Sequence, residues 1–500
     1  MKTKIKLFAL CSVLALGSCS LEEKPYGFYS ESNFFKSAAD ADAAVDYAYA
    51  TLTFLEYSRG VFYLGELPTE NITPKPDESQ DATDLNNWNI PSFKTNTVLQ
   101  YYFTYAFIGI NRANAVIQNV SNGDYDQALK NQYLGEAYFL RAWNYFNLVR
   151  VYGLVPKHNS TVQTLEQTSA PLFSNLDEMY DLILSDCKKA ESLMPVYTIP
   201  KLGRADRVAA QSLAAKAYLF IASAKEHNVP LYKDMKRDIT VMYDSATYFA
   251  GKVVNDQTTY ALDSSLVNIY DVEKPRGSEH IFTMSMDRTG TVEGEYSKIS
   301  KMFIPYIGGA TVYLDNKNGS YSATHDGWSV YQTTTAFYNS FDAADKRKTE
   351  LIVDKVYDKT GVLIAAYPGK ILYPFTRKYI DPSFVGDKTS TRPFLIRYSD
   401  VALIYAEAAG PTTKAYGLIN AIRNRAGLGN LMPGLGIVDF RKAVYKERTW
   451  ELAYEGDHLY DLRRWNRVIT DVPEATSITE EQAAFYPIPQ AEIDLNASLR

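Results

Sequence analysis

Residues 134–156, LGEAYFLRAWNYFNLVRVYGLVP, carry the pattern that decides the fold. Apolar and aromatic residues recur within this stretch at spacings of three and four, which predicts an α-helix with one apolar face. These residues are Leu134, Ala137, Tyr138, Ala142, Tyr145, Leu148, Val149 and Tyr152. Gly153 and Pro156 follow at once and predict that the helix ends at Tyr152. Such a helix needs packing partners, so the stretch favours a mainly α-helical protein.

The helical pattern extends over residues 34–255. Around Ala214 and Ala217, small residues occupy the apolar positions, which lets two helices approach closely. Antiparallel helix pairs with small contact residues are similar to tetratricopeptide repeats. Residues 256–397 are rich in Gly, Pro and Tyr and predict loops and short strands. Helical periodicity returns over residues 398–500, and we expect this region to pack on the earlier helices.

The composition excludes several classes of function. The chain has 500 residues, of which 46% are hydrophobic and 22% charged, which is typical of a folded globular protein. A formal net charge of -6 argues against a nucleic-acid partner, because phosphate binding needs a basic face. Three cysteines exclude a disulfide framework. Five dispersed histidines argue against a metal centre, and we expect no cofactor.

The first residues resemble a lipoprotein signal. Several lysines precede an apolar stretch from Leu7 to Leu16, and the sequence LGSC then ends at Cys19. This pattern predicts a secretory signal at residues 1–18. The small residues before Cys19 resemble a bacterial lipobox, which implies a lipidated cysteine, a tether at residues 19–33 and membrane contact through the lipid alone. The alternative is that Cys19 merely ends an ordinary signal peptide.

A charged cluster near the C-terminus allows two interpretations. Its members are Glu447, Arg448, Glu451, Glu455, Asp457, Asp461, Arg463 and Arg464. A surface glycoside hydrolase would use two of the carboxylates as acid and nucleophile. Helical spacing and interleaved apolar residues favour ion pairs between packed helices instead. No serine-hydrolase, zinc-protease or phosphate-loop motif is present, so we expect no catalytic residue.

The five tryptophans fall into two groups. Trp143, Trp450 and Trp465 lie in helical patterns among apolar residues and predict core packing. Trp88, in DLNNWN, and Trp328, in HDGWS, lie instead in polar loops. A loop tryptophan either plugs a hydrophobic hole or serves as a platform on which the C–H face of a sugar ring stacks.

Five segments, in order along the chain, resemble one family. They are Arg141–Pro156; Arg397–Val401 with Tyr405–Ala408; Ile419–Leu428; Glu447–Gly456 with Asp461–Trp465; and Tyr486–Ile493. Together with the lipobox, they resemble the SusD/RagB family of surface nutrient-binding lipoproteins. His458 stands where that family often has Arg, and the stretch between Ala408 and Lys414 is short.

The resemblance implies a function as well as a fold. It implies a mainly α-helical fold with tetratricopeptide-type helix pairs, on the outer membrane surface of a Gram-negative bacterium. It also implies a partner, a SusC-like TonB-dependent barrel that receives cargo from the lipoprotein. The usual cargo is an oligosaccharide; a peptide, as in the RagB branch, is the alternative.

The resemblance also indicates where the ligand binds. The family builds its site from an early loop, here near residues 65–97, and from the irregular region at residues 256–397. Trp88 and Trp328 fall in these two regions, which favours platforms over plugs. We expect flanking contacts from Asn86, Asn87, Tyr313, Tyr321, Asp326 and Tyr331.

Overall fold

The computed structural model describes residues 35–256, 258–309 and 311–500, and this part of the chain is mainly α-helical, as predicted. The lipidation prediction at Cys19 lies outside the described residues. The earlier α-helices are α1 (Ala38–Tyr49), α2 (Leu55–Gly65), α3 (Gln80–Asn86), α4 (Thr97–Asn119), α5 (Gln127–Tyr152), α6 (Leu176–Leu193), α7 (Arg207–Glu226) and α8 (Ile239–Asn255). The later helices are α9 (Ile299–Phe303), α10 (Thr335–Ser340), α11 (Tyr398–Ala409), α12 (Thr413–Arg425), α13 (Ile437–Glu451), α14 (His458–Arg464), α15 (Val468–Asp471), α16 (Glu480–Ala484) and α17 (Gln490–Leu495).

Helix α5 is the centre of the molecule. It ends at Tyr152, where Gly153 has a positive φ of 74°, as the sequence predicts. The prediction of a single apolar face is wrong, because α5 is buried around nearly its whole circumference after Gly135. Its polar side chains are therefore paired inside the protein. Arg141 makes a bidentate contact to Asp186, with N···O distances of 2.7 and 2.9 Å.

The helices stack in chain order. Helix α4 packs on α5, α5 on α6, α6 on α7 and α7 on α8, which is the arrangement of tetratricopeptide-type pairs. Each of α4 to α8 begins with an Asn or Asp side chain that accepts hydrogen bonds from the first turn of the helix. Helix α11 packs on α8, so the C-terminal helices continue the stack. Among the described residues, no helix is both long and apolar enough to cross a membrane.

Short strands lie between the helical blocks. They are β1 (Ile72–Pro74), β2 (His280–Thr283), β3 (Val312–Asp315), β4 (Tyr321–Thr324), β5 (Tyr331–Thr333), β6 (Ile352–Val353), β7 (Lys355–Tyr357), β8 (Leu363–Ala366), β9 (Phe375–Thr376) and β10 (Phe394–Arg397). Within the described chain they form the antiparallel pairs β1–β5, β2–β10 and β6–β9, and a sheet of order β4-β3-β7-β8. The two-stranded pairs are too small to stand alone, whereas the four-stranded sheet has its own apolar cluster, which includes Val312, Leu314 and Val356.

A buried ion-pair network joins these elements. Glu451, at the end of α13, accepts from Arg397 at 2.8 Å and from Arg425 at 2.6 Å, and Arg347 contacts it at 3.3 Å. Burial alone would raise the pKa of Glu451, but the three guanidinium groups hold it well below its usual range. Glu455 pairs with Arg397 as well. The prediction that this carboxylate cluster forms ion pairs is therefore confirmed for these residues.

Two glycines allow a close contact between α2 and α14. A Cβ on Gly65 would lie 2.0 Å from the carbonyl oxygen of Gly456, so neither helix end could approach so closely with larger residues. The Gly456 N–H donates to Glu66 at 2.7 Å, across 390 residues of sequence. Nearby, His458 Nε2 lies 2.8 Å from Glu70 Oε1. Burial opposes a charge on His458, but Glu70 and Glu66 outweigh it and raise the pKa to about 9.

We predict that Glu451→Gln lowers the free energy of unfolding by about 3–5 kcal/mol, because it leaves buried guanidinium groups without their counter-charge. The measurement is denaturant unfolding followed by circular dichroism. Asp439→Asn is the control, since Asp439 pairs with Lys442 at 4.0 Å on an exposed surface, where such a pair contributes about 1 kcal/mol or less. Equal midpoints for the two variants would contradict this role of the network.

Candidate functional site

Pairing of β1 with β5 brings the two predicted ligand-facing regions together. Pro74 lies opposite Tyr331 and Ile72 opposite Thr333 in an antiparallel register. The segment after β1 therefore runs beside the segment before β5, which contains Trp328. The early loop and the irregular region thus meet at one surface, over a small aromatic core that includes Phe62, Phe303 and Tyr331.

Trp88 corrects the expectation of an exposed platform. Its side chain is only 3% exposed and its Nε1 donates to the carbonyl oxygen of Pro68 at 3.1 Å. Its ring stacks on Tyr486 with centroids 5.8 Å apart and lies against Phe93. Trp88 fills a hydrophobic hole under the loop, which is the alternative that the sequence left open. Its ring offers no free face to a ligand in this conformation.

The residues around Trp88 separate in the same way. Asn86 is buried and donates to the carbonyl oxygens of Leu67 and Ile72 at 2.7 and 3.3 Å, so it holds the early loop in place. Asn87 is exposed. The polar composition of DLNNWN therefore reflects side chains that fasten a loop to its own backbone as well as side chains that face solvent.

The predicted tyrosines lie in different environments. Tyr331 is buried in the aromatic core, with its ring edge-on to Tyr63 at 5.5 Å. Tyr313 and Tyr321 are half-buried on the β3–β4 hairpin, and the ring centroids of Tyr321 and Tyr357 lie 5.3 Å apart. The structure does not bring Tyr331 to the surface, so it corrects the expectation of a direct contact from this residue. Tyr313 and Tyr321 stay candidates.

Asp326 organises a loop. One carboxylate oxygen accepts from the Ile307 N–H and the other from the Gly309 N–H, the second at 2.6 Å. Gly308 and Gly309 have positive φ values of 78° and 76°, which this tight turn requires. Asp326 thus shapes the 304–309 loop, and because a carboxylate oxygen can accept a second hydrogen bond, it stays a candidate for ligand contact.

Trp328 lies directly after this anchor. Its backbone N–H donates to Lys301 O at 2.6 Å, and the Ser329 N–H donates to Ile304 O at 2.9 Å. The position just before Trp328 requires glycine, since a Cβ on Gly327 would lie 1.9 Å from Ile304 O. Ser329 has a positive φ of 57°, a costly conformation that concentrates at functional sites. We call residues 301–309 together with 326–329 the hook.

Tyr306 is the exposed aromatic residue of the hook. It is 72% exposed, whereas Trp328 is half-buried against the aromatic core. The Gly327 N–H donates to Pro305 O at 3.2 Å. Tyr306 follows Pro305 and Trp328 follows Gly327, so this hydrogen bond joins the two backbone segments that carry the two aromatic residues. Sequence reasoning missed Tyr306, although its position between Pro305 and two glycines is a signal that a turn displays this side chain.

Unpartnered polar atoms lie beside the hook. Within the described chain, the Tyr331 hydroxyl, the Gln332 Oε1 and the Arg59 Nε are buried and have no hydrogen-bond partner. Buried polar atoms normally have one. Burial and the nearby carboxylate of Glu78 raise the pKa of Tyr63 to about 12, so its hydroxyl stays a neutral donor. Because these atoms are buried, the side chains that reach solvent at the hook include the exposed Tyr306 and the half-buried Trp328 and Ser329.

The comparison with known proteins gives the family. The sequence profile of the SusD family matches residues 278–475, and a profile described as starch-binding associating with outer membrane matches residues 21–219. The chain belongs to the SusD/RagB family. A SusD-like protein P2 from Formosa agariphila is 25% identical over 538 aligned residues, covering 99% of this chain and 98% of that protein.

Solved SusD structures have the same fold. A SusD homologue from Bacteroides thetaiotaomicron superposes with a TM-score of 0.76 at 22% identity, covering 94% of this chain and 97% of that one. Surface glycan-binding protein A of the same species, in complex with laminarihexaose, gives a TM-score of 0.72 at 18% identity, covering 92% and 98%. These similarities confirm the predicted SusD-like, mainly α-helical fold.

The carboxylates of the C-terminal charged cluster are engaged in ion pairs inside the protein. The carboxylates Glu447, Glu451 and Glu455, which the hydrolase interpretation would use, are buried and paired with cations. In the part of the chain that the structure describes, no group of three or more His, Cys, Asp or Glu side chains is arranged to hold a metal ion. The hook instead offers an exposed ring, a half-buried ring and polar neighbours.

We predict that Trp88→Ala lowers the free energy of unfolding by about 3–5 kcal/mol, because it leaves a cavity between Phe93 and Tyr486 and removes a buried hydrogen bond. Asn87→Ala changes an exposed neighbour and should alter stability by about 0.5 kcal/mol or less. Thermal melts of the two variants test this. If the melting midpoint of Trp88→Ala equals that of Asn87→Ala, the role of Trp88 as a buried plug is contradicted.

Proposed function

We propose that the protein is a cell-surface lipoprotein that binds an oligosaccharide at the hook and delivers it to a SusC-like TonB-dependent outer-membrane barrel. The observation that carries the proposal is the pair Tyr306 and Trp328, fixed by Asp326 on one loop in a chain of the SusD/RagB family. A relative with this fold was solved with laminarihexaose, which supports a glycan as cargo.

Sugar recognition fits the chemistry of this surface. A pyranose ring presents one face of C–H groups that lies flat on an aromatic ring, while its hydroxyls need donors and acceptors at the edge. Tyr306 offers the exposed ring, and Ser329 and Gln332 lie on the backbone that follows Trp328. Because Asp326 and Gly327 hold the loop in advance, little conformational entropy is lost on binding.

Anchoring and transfer complete the proposal. Lipidation of Cys19 would hold the protein at the outer membrane, and the profile that matches residues 21–219 carries the description of association with that membrane. A barrel partner follows from the family. Release into the barrel requires modest affinity, because a very slow dissociation would stall uptake. The proposed role involves binding and release, without bond cleavage.

We predict that Tyr306→Ala weakens binding of laminarihexaose, or of whichever oligosaccharide in a panel binds the wild type, about 10-fold, or about 1.4 kcal/mol. The thermal midpoint of the variant should stay within a few degrees of the wild-type value, because the ring is exposed and its removal leaves no cavity in the core. Trp328→Ala should weaken binding as well. Isothermal titration calorimetry measures the affinities.

Tyr248→Ala on α8 is the matched control, since it removes another exposed tyrosine, 60% exposed against 72% for Tyr306, from a different part of the protein. Its affinity should equal that of wild type. Equal affinities for Tyr306→Ala and Tyr248→Ala would contradict binding at the hook. Binding of peptides in place of every glycan tested would replace the oligosaccharide with the RagB-type cargo.

We predict that Cys19→Ala abolishes membrane attachment or leaves the uncleaved precursor, because the acyl chains have no other residue to modify at the cleavage point. Membrane fractionation and immunoblotting of cells expressing the variant test this. Ser18→Ala, which keeps a small residue before the cysteine, is the control and should remain attached. If Cys19→Ala is found in the membrane fraction in the same processed form and amount as the wild type, the lipid anchor is contradicted.

A further inference from the structure

The cation that lies over the Trp328 ring has a carboxylate partner of its own. Lys301 Nζ lies 5.7 Å from the ring centroid of Trp328 and 2.6 Å from Asp387 Oδ1. Next to it, Lys298 and Arg59 lie 3.0 and 3.6 Å from Glu293. A site that attracts an anionic ligand keeps cations available for it. Here Lys301, which lies over Trp328, is neutralised by Asp387, whereas Lys298 and Arg59 share the single carboxylate of Glu293.

Asp387 is the group that compensates Lys301. Its side chain is 50% exposed, whereas the side chain of Lys301 is only 14% exposed, so the carboxylate faces the solvent side of the pair. The hydrogen bond from Lys301 holds the pKa of Asp387 below its usual range, so it is ionised at neutral pH. His325 also lies close, but burial and the charge of Lys301 lower its pKa and it adds no positive charge.

This arrangement penalises acidic sugars. A uronate or sulfate group near Trp328 would meet the exposed carboxylate of Asp387 before it reached Lys301. Displacing Asp387 would leave a carboxylate without its partner, and like charges held close together lower affinity. The net charge of -6 for the whole chain repels polyanions as well. Uncharged sugars meet neither penalty.

We propose that the Lys301–Asp387 pair makes the hook selective for uncharged oligosaccharides over those that carry uronate or sulfate groups. This inference rests on the proposed function and names the cargo class of the same site. Asp387 then acts as a specificity-determining residue, because it cancels a cation that lies against the aromatic platform.

The test compares two probes on the full-length mature protein. Laminarihexaose is the uncharged probe, and oligomannuronate of equal length is the acidic probe. The wild type should bind the acidic probe at least ~10-fold more weakly. In Asp387→Asn the ratio of acidic to uncharged affinity should rise at least ~10-fold, because Lys301 is freed beside Trp328. That gain should shrink in high salt, since it comes from a partly exposed charge.

Two further variants make the result specific. Asp439→Asn frees Lys442 on the exposed face of α13, where both side chains are more than 60% exposed, and should leave the ratio at the wild-type value. The double variant Lys301→Gln, Asp387→Asn removes both charges and should lose the gain seen in Asp387→Asn. If Asp387→Asn melts early, the same ratio is measured at a temperature below its transition.

Several outcomes overturn the inference. Equal wild-type affinity for the two probes would do so, and so would an unchanged ratio in Asp387→Asn. If Asp439→Asn raises the ratio of acidic to uncharged affinity by the same factor, the effect comes from the net charge of the protein, and Asp387 does not determine specificity. In all these cases glycan binding itself survives. If the wild type and Asp387→Asn bind no glycan of a wider panel, acidic or uncharged, then the proposed function fails and the inference fails with it.

Discussion

The buried pairing of Glu451 with arginines is the constraint on which the rest of the structure depends. The three guanidinium groups that contact it come from the end of β10, the end of α12 and the segment before β6. Charges buried this deeply are tolerated only when each has its partner in place. The network therefore accepts one arrangement of the helices and the irregular region, and it holds the C-terminal helices against the strands that precede them. The hook is attached to this fixed base through the aromatic core around Phe303 and Tyr331.

The candidate site adds a second level of constraint. Asp326 accepts two backbone N–H groups, Gly327 permits a contact that no larger residue allows, and Ser329 adopts a positive φ. These local features cost conformational freedom, and the surrounding structure must compensate for them. Their result is that Tyr306 points to solvent from a loop whose backbone is already fixed. The position of the exposed ring thus depends on the same network that stabilises the fold.

The sequence predicts the fold well because periodicity reports burial. Trp143, Trp450 and Trp465 lie in helical patterns and are buried, as the sequence predicts. The same reasoning fails in loops, where no period exists. Trp88 and Trp328 have similar polar neighbours, yet the first fills a hole beneath Tyr486 and the second lies half-buried at the surface. What separates them is which distant segment covers each ring, and Tyr306 was missed for the same reason.

The contact of Gly65 with Gly456 also has a consequence for the order of folding. The early loop and β1 follow directly from α2, and α2 is held by Gly456 and His458 across most of the chain. Contacts between residues so far apart form late, because a long loop must close first. A chain that emerges N-terminus first therefore has helices α4 to α8 and the β1–β5 strands available before the segment that holds α2. Until the last fifth of the protein arrives, the end of α2 lacks its contacts with Gly456 and His458, and intermediates that expose apolar surface aggregate or need protection. The docking of α14 is thus the step that fixes the end of α2 and the segment that leads into β1.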